Sequence, residues 1–125
     1  MADLKEKACT LLSTTTVALN TDASTVLYTV PVGKRCILSH AILVAGADCA
    51  TTDVQIGQNG ATTDFIPSTD LGLINAANDV AKLQPIPATN VALNKSYAAA
   101  TAIEMEVTNQ AGGATNTVYL YGMLY

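Results

Sequence analysis

The sequence predicts an all-β fold, an antiparallel β-sandwich or jelly roll of about eight short strands. Three observations predict it. The composition is half hydrophobic yet only 5% aromatic and 13% charged, and alanine, valine and threonine dominate it. That small, β-branched profile suits closely packed sheets. Apolar and polar residues alternate over 101–108, the period of a half-buried strand. Turn clusters recur at 20–24, 31–34, 59–60 and 109–114, spaced as in a sandwich.

The elements follow in order. Residues 1–8 form a charged arm in which Asp3, Lys5, Glu6 and Lys7 alternate in sign, and 9–125 form one domain. Residues 9–19, rich in Thr, Leu and Val, read as one long or interrupted strand. Residues 25–30 follow, with Val26, Tyr28 and Val30 expected on one face. Pro31-Val-Gly-Lys34 is a turn, with Pro31 expected at its second position and Gly33 at its fourth. The long apolar run 35–45 reads as a central strand covered on both sides, with a helix as the rival reading.

Residues 52–58 alternate, with Val54 and Ile56 inward, and end at Asn59-Gly60, a tight-turn dipeptide. Residues 63–67 and 71–74 read as short strands. Residues 75–83 place Ala76, Ala77, Val80 and Leu83 on one helical face, giving two helical turns or a loop that Pro85 and Pro87 stop. In 101–108, Ile103, Met105 and Val107 point inward, and Glu104 and Glu106 point to solvent. The terminal strand, 116–125, is expected to return from the 109–114 loop as a hairpin.

That terminal strand is apolar on both sides. Side chains alternate faces along a strand, so Val118, Leu120 and Leu124 point one way, and Tyr119, Tyr121, Met123 and Tyr125 the other. Tyrosine suits interfaces because its ring is apolar and its hydroxyl is not. The four residues therefore read as the seam of an oligomer. Burial beneath a loop of the same chain is the alternative reading. The low charge fraction favours assembly, since a solvated monomer carries about a quarter charged residues.

The net charge of −4 and only six basic residues speak against nucleic acid as a partner. No run approaches the ~20 apolar residues that span a bilayer, and no secretory signal is expected at the start. Cys9, Cys36 and Cys49 lack metal-type spacing. They read as reduced thiols, with a Cys9–Cys36 neighbourhood across strands left open.

Catalytic groups are scarce. His40 is the sole histidine, so no histidine pair or relay with a second histidine exists. Its neighbour Ser39 is expected on the opposite face of the strand, out of reach as a nucleophile. Asp48, Asp53, Asp64, Asp70 and Asp79 lack a calcium-loop pattern. Glu104 and Glu106 stand about 7 Å apart on one side of a strand, a carboxylate pair or two solvated side chains. The glycines match no phosphate loop. The expectation is no enzyme, no cofactor and no metal.

Two stretches carry resemblances. Residues 25–44, a strand, Pro-Val-Gly-Lys-Arg and a second strand expected to form a hairpin, resemble a segment of small structural proteins of tailed bacteriophages, head decoration (cement) proteins among them. Residues 119–125, Tyr-Leu-Tyr-Gly-Met-Leu-Tyr, are similar to the closing strand of tumour-necrosis-factor-like jelly rolls, where such a pattern closes a trimer. These resemblances imply a homotrimer on the outer surface of a phage capsid, made in a bacterial cytoplasm and bound to the major capsid protein. The arm, through Asp3, Leu4, Lys5 and Lys7, would dock on the shell. A fibre or glycan-binding module is the alternative they leave.

Overall fold

The computed structural model describes residues 9–85, 96–110 and 113–125. Nine strands are described, with no helix among the described residues: β1 (Thr10–Val17), β2 (Ser24–Thr29), β3 (Cys36–Val44), β4 (Asp53–Gln58), β5 (Ala61–Asp70), β6 (Val80–Leu83), β7 (Ser96–Tyr97), β8 (Ala102–Thr108) and β9 (Asn116–Leu124). The charged arm lies outside the described residues, and with it Asp3, Leu4, Lys5 and Lys7.

The strands make two antiparallel sheets. One runs β1-β9-β3, with β6 and β7 sharing the far side of β3; the other runs β2-β8-β4-β5. This is jelly-roll order, in which nearly every connection crosses from one sheet to the other. The exceptions among the described strands are β6 and β7, which both pair with β3, and β4–β5, a hairpin closed by Asn59-Gly60, with Gln58 opposite Ala61 and Gly60 at a φ of 84°.

The crossings correct three expectations. The segment 25–44 is no hairpin: β2 and β3 belong to different sheets, and their turn carries the chain between layers. Its hydrogen bond runs from Lys34 N to Pro31 O, with Gly33 third at a φ of 78°, so the turn sits one residue later than expected. Likewise β9 does not fold back on β8. It lies between β1 and β3, while β8 lies between β2 and β4.

Two element assignments also change. Residues 63–67 belong to the longer β5, and 71–74 form its exit turn, held by Ile74 N to Leu71 O at 2.8 Å. The expected helix is instead the edge strand β6, because Ala41 to Val44 of β3 offers it a ladder. Tertiary pairing overrides a weak helical period. β7 was not foreseen, being only two residues long.

The core lies between the sheets. Val17, Leu38, Leu43, Val118 and Leu120 face Val54, Ile56, Ile103, Met105 and Val107, all almost fully buried. In β2 it is Leu27 that turns inward while Val26 is 49% exposed, because a register shift between Val26 and Tyr28 changes the phase of the strand.

Asn116, 1% exposed, ties three segments at one end. Its Oδ1 accepts from Gly46 N (2.8 Å), and its Nδ2 donates to Val17 O (3.0 Å) and Gly113 O (2.8 Å). At the other end of β9, Gly122 is buried. A Cβ there would lie 2.6 Å from Ile37 O and 2.8 Å from Leu12 Cδ1.

Two stability outcomes follow. Asn116→Ala removes three buried hydrogen bonds, although Gly113 O keeps its bond from Leu19 N, and should lower the unfolding free energy by about 3 kcal/mol in urea titration. Gly122→Ala forces a methyl against backbone, and the same titration should show a loss of about 2 kcal/mol. An unchanged midpoint for either would contradict these roles.

Candidate functional site

The outer face of the five-stranded sheet is built around a paired irregularity. On β9 the register is regular, so Asn116, Val118, Leu120 and Gly122 point inward, and Thr117, Tyr119, Tyr121 and Met123 point outward. Both neighbours break register beside Tyr121, β1 at the Leu120–Tyr121 step and β3 at the Tyr121–Gly122 step. β1 inserts Leu12 between Leu11 and Ser13, and β3 inserts Ser39 between Leu38 and His40.

The β3 bulge reverses the expected separation of Ser39 and His40. Cys36, Leu38, Ala41 and Leu43 are buried, while Ser39 and His40 are both half-buried on the outer side. Ser39 Oγ and His40 Nδ1 stand 2.9 Å apart. A bulge places two successive side chains on one face, which regular alternation forbids.

His40 stacks flat on Tyr121, with ring centroids 4.7 Å apart and planes 9° from parallel. Leu11 lies opposite Tyr121 on the other side, so Leu11, Tyr121 and His40 form a row across three strands. Tyr119 forms the next row with Thr14 and Ile42, and Ile42 lies opposite Lys82. Val44 and Val80 continue the surface, and Met123 pairs with Ile37. Leu11 at 49% and Val80 at 57% exposure mark its margins. Among the described residues this face is mainly apolar and aromatic, edged by Thr14, Thr117 and Ser39, with Lys82 as its lysine and no carboxylate.

Burial holds the His40 pKa below its ordinary value, and the Lys82 ammonium adds to that shift. The ring is therefore neutral at pH 7, with Nδ1 free to accept from Ser39. Tyr125 sits at the end of this face, 44% exposed. Its backbone pairs with Arg35, and its phenol meets Ser96, which also accepts from Arg35 Nε at 2.9 Å. The structure thus brings Tyr119, Tyr121 and Met123 together on one face and anchors Tyr125 at its end.

The opposite sheet has a polar exterior. Glu104, expected in solvent, is only 9% exposed. It lies opposite Gly57, and the bulged start of β5 packs on that bare glycine, with Ala61 O and Thr62 C within 2.7 Å of where a Cβ would stand. Glu106 Oε2 accepts from Thr62 Oγ1 (2.6 Å) and Gln55 Nε2 (3.0 Å). Asp64 Oδ1 accepts from the buried Tyr97 phenol at 2.9 Å. Burial first, then the bond to Asp64, raises the Tyr97 pKa, so that phenol stays protonated. These carboxylates are engaged in holding the sheet's outer layer.

Cys9 is exposed, Cys36 and Cys49 are buried, and all three are free thiols. Burial pushes the Cys36 thiol up to about 11, which keeps it uncharged and unreactive at neutral pH. Among the described residues, no group of three or more His, Cys, Asp or Glu is placed to hold a metal ion. An open cavity of about 550 Å³, lined by Leu71, Leu73, Ile74, Val80 and Leu83 among others, lies beside β6.

Comparison with protein-family models, curated proteins and solved structures gives no match to this chain.

The His40 environment predicts a pH dependence. The folded chain binds the imidazole proton less readily than the unfolded chain, so stability should fall on acidification through the ordinary histidine range and level off below the folded pKa. Thermal unfolding of the wild type and His40→Gln between pH 8 and 5 checks this, those limits bracketing the usual value of about 6.5. The wild type should lose stability relative to the variant as pH falls; parallel curves would contradict it.

Proposed function

We propose that the chain is a structural subunit of a virus particle, a decoration protein that joins its own copies through the outer face of the five-stranded sheet. In this reading a homotrimer binds the outer surface of a phage head and stabilises the lattice. The observation that carries the reading is the face around Tyr119, Tyr121 and Met123, mainly apolar and aromatic and, among the described residues, without carboxylates. Contiguous apolar surface of this kind marks protein–protein contact, and tyrosine and methionine are enriched there.

The phage context rests on the resemblance of residues 25–44, and the face supplies its physical complement. A decoration protein must hold many identical subunits by repeated contacts, and linked contacts multiply individually weak affinities. An assembly role also fits carboxylates that are engaged in the fold, such as Glu106 and Asp64.

Two measurements test the reading. Light scattering should show an oligomer that Tyr121→Asp reduces to a smaller species while the circular dichroism of the fold persists; a wild-type monomer at all concentrations would overturn the seam. Electron microscopy of undecorated phage heads mixed with the protein should show added density at local three-fold positions. An oligomer that leaves heads bare would overturn the capsid role and favour a fibre or glycan-binding module.

A further inference from the structure

A sandwich exposes unpaired strand edges, and natural proteins blunt them with charges, prolines, bulges or brevity. Most edges of this molecule carry such devices. β5 contains Pro67, Asp64 and Asp70, and its pairing with β4 breaks register twice. β6 is four residues long, carries exposed Lys82 and is followed by Pro85, while β7 has only two residues. β2 bulges at Leu27, whose carbonyl accepts from Thr15 Oγ1 of β1 at 3.3 Å.

β1 differs. Its eight residues, Thr-Leu-Leu-Ser-Thr-Thr-Thr-Val, hold neither charge nor proline. The bulge at Leu12 lies near its start, and Ser13 to Val17 then run in unbroken register against β9. Among the described residues β1 pairs with β9 alone, and its backbone takes no part in backbone hydrogen bonds outside that ladder. Ser13 Oγ on this strand is the buried side-chain oxygen left without a partner among the described residues.

We infer that β1 is a self-pairing edge: a second copy of this chain adds its own β1 antiparallel to the first, joining the two five-stranded sheets into one. The choice of occupant follows from symmetry. A two-fold axis sets each strand against its own sequence, so charges near the axis meet like charges, which opposes pairing. Self-pairing of β5 would bring Asp64 and Asp70 toward their own copies, and self-pairing of β6 would do the same with Lys82. β1 meets itself with hydroxyls and methyls, and Thr–Thr and Thr–Ser pairs are favourable across antiparallel strands. The contact is separate from the tyrosine face. It also sets Leu11 of each copy at the junction, so that the two outer faces form one surface.

The test is nuclear magnetic resonance on an equal mixture of isotope-labelled and unlabelled full chain. Antiparallel contacts between β1 backbones of different copies are expected, with slow exchange of edge amides that quickens on dilution. Thr14→Lys with Thr16→Lys places charges near the axis at two exposed positions, and should weaken pairing at least about tenfold while core amides stay protected. Tyr121→Asp should leave β1–β1 contacts intact, which separates this interface from the face. Absence of β1–β1 contacts with exchange independent of concentration overturns the inference. So does β1 paired to any segment other than the β1 of a second copy.

Discussion

The missing side chain at Gly122 is the constraint on which the five-stranded sheet depends. β9 is the middle strand of β1-β9-β3, and its neighbours each take in an extra residue beside Tyr121, at the two successive steps that flank it. The inward position at Gly122 is where Leu12 and the β3 backbone converge, and a Cβ would collide with both. Two bulges facing one strand raise the local twist from both sides. Their common result is the row Leu11, Tyr121, His40, with Ser39 beside it. Without the β3 bulge, Ser39 or His40 would point into the core, and an unpaired polar group there is costly.

The two sheets finish their exteriors differently. The four-stranded sheet is roofed by the bulged start of β5, with Thr62, Gln55 and Glu106 bonded to one another and Asp64 bonded to Tyr97. Its polar groups find partners within the chain. The five-stranded sheet presents half-buried aromatic and aliphatic side chains on its outer face. Asn116 and the Arg35–Ser96–Tyr125 cluster pin the two ends of β9, so this surface rests on a strand fixed at both termini. A preorganised surface loses less conformational freedom on contact than a loose one.

Much of the strand content was legible because strand formation answers to short-range pattern. Alternation over 101–108 named Ile103, Met105 and Val107 as core, and all three are buried. Asn59-Gly60 marked the one true hairpin. Turn chemistry specifies a reversal, however, and not the sheet to which the next strand is delivered. The segments 25–44 and 101–125 therefore read as hairpins although each crosses the sandwich. Bulges were illegible for a related reason: an extra residue is defined by the partner strand, so the phase change at Leu27 and the meeting of Ser39 with His40 carry no local signature. A helical period over 75–83 was likewise overruled by the ladder that β3 offers.

The sequence by itself determined an all-β chain, its main strands, its inward residues and the two-sided apolar character of 116–125, because period-two alternation and turn residues act over a few positions. Only the tertiary structure decided that this last strand is central rather than marginal and that its tyrosines share a face with His40, Ile42 and Leu11. It also decided that Glu104 is covered and that, among the described residues, β1 pairs on one side only. Each of these depends on which distant strand lies alongside, and pairing across a jelly roll is settled by the packing of the whole sandwich.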